Sequence, residues 1–190
     1  MFLQQIIKPR HATGSLVSRL LEGRKINLRI AEKEDISLIA KLWNDAEYFG
    51  EYQGLMAVSK VKLERVMLDE TVFFLIEKMD GSKIGHINCW KRGRMMEIGF
   101  ALLPSERGKG YGTEAVQLMV DYLFLSKDVV RIQAATDTRN IASQKAMERA
   151  GFLKEGIMRK ENYARGKYRD TCLYSVIREY WKEPKILTRT

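Results

Sequence analysis

A chain of 190 residues is long enough for a single domain to bury its own core without disulfide or metal staples. A hydrophobic share of 45% beside 30% charged residues, with three prolines, no biased tract and no repeat, excludes a disordered, low-complexity or solenoid protein. The net charge of +9 is the unusual figure, and it fits nucleic acid, a phosphate-rich cofactor, a ribosomal surface or plain solubility.

The first 25 residues read as an extension with a short amphipathic helix near Ser15–Leu21. The opening MFLQQIIKPRH has too short an apolar stretch for a secretory signal, and no run approaches the roughly 18 apolar residues of a membrane span. The expected compartment is therefore the cytoplasm. A single domain over 26–190 opens on the alternating strand Ile26-Asn-Leu-Arg-Ile30. A helix over Glu34–Glu47 puts Ile36, Ile39, Ala40 and Trp43 on one face, and residues 44–58 look irregular. Ser59 suits the N-cap of a second helix carrying Val61, Leu63, Val66 and Met67.

Val72–Met79 and Lys83–Trp90 read as strands joined by Asp80-Gly81, a short hairpin signal. A turn at Lys91–Arg94 leads into the strand Met95–Leu103. Tyr111–Leu125 has the clearest helical period, with Ala115, Leu118, Met119, Tyr122 and Leu123 along one stripe. Val129–Thr136 is a buried strand, and Asn140–Ala150 is a helix ended by Gly151. Strands over Leu153–Glu161 and Tyr168–Glu179 flank a turn at Ala164–Lys167. The order β-α-α-β-β-β-α-β-α-β-β joins hairpins to βαβ crossovers, which predicts an α/β (α+β) sheet with helices on both faces. Cys89 and Cys172 fall inside strands and read as buried thiols, while the sparse pair His86 and Cys89 supports no metal site.

Between the strand at Met95 and the helix at Tyr111 lies Pro104-Ser-Glu-Arg-Gly-Lys-Gly-Tyr-Gly-Thr-Glu114, with glycines at 108, 110 and 112. It is neither a Walker A loop nor a dinucleotide fingerprint. A strand, a run of glycines and a helix start can align backbone N–H groups on a phosphate, with Arg107 and Lys109 adding charge; a solvated turn has the same composition.

Around it, Glu97-Ile-Gly-Phe, then R-G-K-G-Y-G-T-E-A, Asn140-Ile-Ala-Ser143 and Arg149-Ala-Gly-Phe152 follow in order. As an ordered set, over about Ile26 to Trp181, they resemble the GNAT superfamily of acyl-CoA-dependent N-acetyltransferases, and Arg107–Gly112 matches its [RQ]-x-x-G-x-[GA] motif. E-G-I-M-R, the turn at Gly166, D-T-C-L-Y-S and E-Y-W look like the branch of ribosomal-protein alanine N-acetyltransferases. The resemblance implies a mixed, mostly antiparallel sheet of six to seven strands, with acetyl-CoA as cosubstrate and no metal.

It also implies residue roles. The amides of Arg107, Gly108, Lys109, Gly110, Tyr111, Gly112 and Thr113 would hold the pyrophosphate, and Phe100, Ala101 and Leu102 would line the thioester. Asn140 would hold the pantetheine arm, and Ser143 would assist the departing thiolate. Glu97 would take a proton from the amine, directly or through water; a strand carboxylate paired with Arg94 is the competing reading. Many members carry a tyrosine four residues after the position of Ser143, where this chain has Met147, which donates no proton. Tyr163, Tyr168 and Asp170 flank a hairpin that lies near the acceptor in the family.

The expected activity is acetyl transfer to a primary amine, with a protein N-terminal α-amine as acceptor, by a monomer or homodimer. An acetyltransferase for an antibiotic or polyamine, and a non-catalytic phosphate- or RNA-binding module, stay open on the residues alone. Nucleic acid is disfavoured as primary ligand because no RNA-binding signature is present.

Overall fold

The computed structural model describes residues 19–68 and 72–186. Its strands are β1 (Arg19–Glu22), β2 (Ile26–Ile30), β3 (Val72–Lys78), β4 (Lys83–Arg92), β5 (Met95–Leu102), β6 (Arg131–Asp137), β7 (Leu153–Ala164) and β8 (Lys167–Ile177). They form one sheet in the order β1-β2-β3-β4-β5-β6-β8-β7, and only β5 and β6 run parallel. The helices are α1 (Ile36–Trp43), α2 (Ala46–Phe49), α3 (Lys60–Leu68), α4 (Tyr111–Ser126) and α5 (Ile141–Arg149).

The sheet has eight strands rather than six or seven, because Arg19–Glu22 pairs with β2. Of the helix expected near Ser15–Leu21, residues 15–18 lie outside the described residues and the rest is strand. The helix expected over Glu34–Glu47 is two helices. Asn44 ends the first: its side chain donates to the carbonyls of Ala40 and Val58 at 2.8 and 2.9 Å and accepts the Val58 amide at 2.8 Å. Asp45 then caps α2 through the Glu47 amide, the habit by which short polar side chains compete with a helix backbone. Ser59 caps α3 as expected, through the Lys62 amide at 3.2 Å, but Val61 on that helix faces solvent.

Alternation along β3 sorts the core into two layers. Phe74 and Ile76 pack with Leu118, Met119 and Leu123 of α4, while Phe73 and Leu75 pack with Ile39 of α1 and Leu63 of α3. Helices therefore cover both faces, one carrying α4 and α5 and the other α1 to α3. Gly151, at φ +94°, ends α5, with its amide on Glu148 O and that of Phe152 on Met147 O. Both cysteines are buried and free, and burial pushes the Cys89 thiol up to about 11.

The α1–α3 face also holds buried charge. Arg29 donates to Glu77 at 2.7 Å and to Asp35 at 2.8 Å, and Lys83 reaches Asp35 at 2.8 Å. Burial alone would raise the Asp35 carboxyl; hydrogen bonds from Arg29, the Glu32 amide and Lys83 outweigh it and hold Asp35 well below the usual carboxylate range. Beside this network His86 stacks on Phe73 at 5.0 Å between ring centroids. The Tyr48 hydroxyl lies 2.7 Å from His86 Nδ1 and donates to the Ala101 carbonyl at 3.1 Å, an arrangement in which Nδ1 carries the proton.

Burial lowers His86 to about 3, against about 6.5 in an unfolded chain. Between those values the unfolded state holds the extra proton, so stability is complete above the higher value and declines as the pH falls. Urea unfolding should lose about 1.4 kcal/mol per pH unit to this group below about pH 6. His86→Gln, whose side-chain amide can still donate to the Tyr48 hydroxyl, should remove that share of the slope. An identical pH profile in the variant would refute it.

Candidate active site

The parallel pair is bonded at two positions only, Met96↔Ile132 and Glu97↔Gln133. Past them β5 stays with β4 as far as Leu102, and β6 stays with β8 as far as Asp137, so the two strands diverge and open a wedge in the sheet. Leu103 N donates to Ile84 O at 2.9 Å, which fixes the phase of the antiparallel ladder. Leu103, Ala101 and Gly99 turn their main chain toward β4, and Ile98, Phe100 and Leu102 turn theirs into the wedge. Phe100 and Leu102 thus present their main chain to the opening, although Leu102 O already accepts Arg107 Nε at 3.2 Å. Ala101 does not: its carbonyl accepts Tyr48, which makes it part of the wall.

On the α4 face the wedge meets the glycine loop. Gly108 and Gly110 have φ of +76° and +87°, the left-handed conformation that side chains resist. Gly112 serves a different purpose, since a Cβ there would stand 3.0 Å from the Phe100 ring. Two glycines turn the chain and the third lets α4 sit close to β5. The Arg107 amide bonds Pro104 O, and the next amide bonded to the backbone is that of Glu114, on Gly110 O. Among the described residues no side chain caps α4. The amides of Gly108 to Thr113 therefore have no acceptor among the described residues, at the positive end of a helix of 16 residues. A phosphate or pyrophosphate fits that donor set.

The charge beside this loop is not the expected one. Arg107 turns its guanidinium away, to the carbonyls of Tyr48 at 2.7 Å and Glu47 at 3.2 Å. Lys109 pairs with Glu106 at 3.0 Å. The cation over the loop is Lys25, whose Nζ stands 3.5 Å from where a Cβ on Gly110 would sit. Glu114, in the first turn of α4, seats the β1–β2 turn by accepting the Lys25 amide at 3.1 and 3.2 Å and the Arg24 amide. Lys25 carries no motif, and only this tertiary contact assigns it.

Across the wedge, Asn140 Oδ1 caps α5 through the Ser143 amide at 3.1 Å, which leaves Asn140 Nδ2 to donate. Ser143 is half-buried, and its hydroxyl has no hydrogen-bond partner among the described residues. Met147 is 1% exposed in the core, so its position serves packing.

Glu97 marks the apex of the wedge on the opposite face. Its Oε2 accepts Gln133 at 2.8 Å and Arg92, rather than Arg94, at 2.9 Å, while Oε1 has no partner among the described residues. The Trp90 ring lies over Gly99, 3.4 Å from where a Cβ would project. Residues 46–52, which comprise α2 and a 3₁₀ turn, cross this face under three arginines. Arg107 holds Glu47 and Tyr48, Arg165 donates to the carbonyls of Ala46 and Gly50 at 3.1 Å, and Arg139 pairs with Glu51 at 2.7 Å. Arg139 also grips Asp137 through two nitrogens. Burial alone would raise the Asp137 carboxyl, but those bonds outweigh it and lower its pKa. Tyr163 and Tyr168 pack edge to face on the β7–β8 hairpin at 5.0 Å, and Asp170 accepts the Lys160 amide.

Residues 25–153 match the family described as "Acetyltransferase (GNAT) domain". The chain is 30% identical over 175 residues to an uncharacterized N-acetyltransferase, p20, of Bacillus licheniformis, covering 84% of this chain and 97% of that one. The fold matches a ribosomal-protein-S5-alanine acetyltransferase from Vibrio fischeri with a TM-score of 0.74, at 24% identity over 85% of this chain and 98% of that one. It also matches a spermidine N-acetyltransferase from Vibrio cholerae in complex with CoA and spermine, with a TM-score of 0.72, at 21% identity over 82% of this chain and 97% of that one.

If the loop amides and Lys25 share the anion, Lys25→Ala should weaken CoA binding by calorimetry roughly three- to tenfold, the worth of one partly exposed charge-assisted contact. Glu106→Gln, which frees Lys109, should strengthen it. Unchanged affinity in both variants would disprove the assignment.

Proposed function

The chain belongs to the GNAT family of acetyltransferases, and we propose that the amine it acetylates is a protein N-terminal α-amine. N-acetyl transfer from acetyl-CoA is the family chemistry; the acceptor is the inference. Acetyl-CoA, when bound, supplies an acyl group activated as a thioester. The amides of Gly108 to Thr113 orient its pyrophosphate, Asn140 Nδ2 donates to the arm, and the Phe100 amide turned into the wedge polarises the acyl carbonyl. The acceptor approaches from the other face, beneath residues 46–52.

The single observation that carries this reading is Glu97, held by Arg92 and Gln133 at the apex with Oε1 uncommitted. A fixed carboxylate suffices to deprotonate an α-ammonium with a pKa of about 7.7–8.0, whereas a lysine at about 10.4 needs far more help. Ser143, one helical turn from the wedge mouth, is the proton donor available to the departing thiolate, whose thiol has a pKa on the order of 8.5.

Polyamine is the second reading, favoured by the spermidine acetyltransferases of Escherichia coli and Vibrio cholerae among the similar proteins. A net charge of +9 opposes a polycation.

Thiol release from acetyl-CoA should be fastest with peptides bearing a free α-amine, and slow with spermidine, aminoglycosides and N-blocked lysine peptides. Spermidine as the best acceptor would reverse the assignment. With the preferred peptide, Glu97→Gln should lower kcat about a hundredfold at unchanged KM for acetyl-CoA, and a kcat within twofold of the parent would remove Glu97 from the chemistry.

A further inference from the structure

We propose that a basic pocket on the β7–β8 hairpin docks acidic side chains of the acceptor polypeptide, a few residues beyond its reactive amine. This rests on the α-amine reading above and narrows it to one class of protein substrate.

The pocket, about 670 Å³ and open to solvent, is lined by Lys160, Lys167, Tyr168 and Arg169. Its shape comes from a bulge in β7. Met158 pairs with Thr171 and Asn162 with Arg169, so residues 159–161 stand opposite Asp170 alone. Lys160 sits in that bulge at φ +55°, a conformation a lysine adopts only where its surroundings hold it, here by the Asp170 carboxylate on its amide at 2.9 Å. Bulges re-aim side chains, and this one brings Lys160 into the pocket with Lys167 and Arg169.

The two lysine charges are uncompensated, while Arg169 lies close enough to Asp137 to help lower that carboxyl. Among the described residues Lys160, Lys167 and Arg169 form no ion pair. The nearby carboxylates are otherwise engaged, Asp137 chiefly with Arg139, Asp170 with the Lys160 amide and Glu161 with the Thr171 hydroxyl.

Position connects the pocket to the reaction. The amide of Thr138 donates to Asp170 O at 3.0 Å, next to Arg169 and two residues before Asn140. At about 3.8 Å per Cα step, the pocket and the wedge mouth lie on the order of 10–15 Å apart, or about four residues of extended chain. The same hairpin fastens residues 46–52, through Arg165 on Ala46 and Gly50 and through Asn162 on Tyr52 O. A polypeptide whose amine lies under that segment runs out across the hairpin. A compact trio of cations beside the acceptor entrance suits carboxylates better than the long phosphate-tracking groove that single-stranded nucleic acid requires.

Two peptides sharing their first three residues, one with Asp and Glu from the fourth position and one with Ser and Gln, distinguish the possibilities in a thiol-release assay. The acidic peptide should show kcat/KM at least roughly tenfold higher, carried by KM and reduced by salt. In the Lys160→Gln/Lys167→Gln double variant, at two exposed positions, the acidic-to-neutral ratio should fall toward one, with Tm unchanged. Equal rates on both peptides in the parent enzyme would overturn the docking and leave the α-amine reading standing, as would a ratio that survives the double variant. Turnover of spermidine with neither peptide used would remove both. Oligoribonucleotide that binds the parent enzyme and is not displaced by the acidic peptide would assign the pocket to nucleic acid and overturn the proposal.

Discussion

The arrangement depends on a parallel pairing that stops after two positions. Each diverging strand is fully satisfied on its far side, β5 by β4 and β6 by β8, so the sheet keeps its stability while presenting unpaired groups at its centre. Those groups fall on alternate residues, and that alternation decides that Phe100 and Leu102 face the wedge while Ala101 does not. The Phe100 ring and Gly112 then bring the start of α4 against β5, so the loop amides and the open strand edge lie side by side, as the proposed donor site requires. The wedge also connects the two faces of the sheet, which lets donor and acceptor in the proposed reaction enter from different faces.

Much of the basic excess is spent holding this geometry. Arg29 and Lys83 together balance the buried carboxylates of Asp35 and Glu77, Arg107 and Arg165 bond carbonyls of residues 46–52, and Arg178 donates to the carbonyls of Val129, Phe124 and Lys127. A planar fork of donors bridges backbone carbonyls in a way that lysine cannot. The net charge is in part an inventory of internal fasteners, which weakens the link from composition to nucleic acid. Lys25 beside the glycine loop and the lysines of the hairpin pocket are among the cations left for a partner.

Local signals were readable from the residues and distant ones were not. Ser59, Asp80-Gly81 and Gly151 act within a few positions of themselves, and each sits where its chemistry places it. The glycine stretch was legible as a loop, but the division of labour between Gly108, Gly110 and Gly112 depends on Phe100, a neighbour only in three dimensions. Arg107 shows the limit best. Its place in the motif was plain, yet its side chain serves α2, because the carbonyls of Glu47 and Tyr48 compete for it and no sequence pattern registers that contest. Lys25 and the Lys160 bulge were missed for the same reason, and β1 because four residues carry too little alternation to read.

The same geometry bears on how an acetyl group could cross. A covalent route through the enzyme needs a nucleophile in the wedge, and the two thiols are poor candidates. Cys89 is 0% and Cys172 1% exposed, both in the core cluster on the α4 face. With burial pushing the Cys89 thiol up to about 11, its thiolate is scarce at neutral pH. Among the described residues no base hydrogen-bonds the Ser143 hydroxyl, the contact that would activate a serine nucleophile. Glu97 lies at the apex with an oxygen to spare, on the face opposite the loop that orients the donor. In the proposed reaction Glu97 is the base on one side and the thioester lies on the other, which requires only that the amine be brought between them, so that proximity supplies the rate and attack is direct.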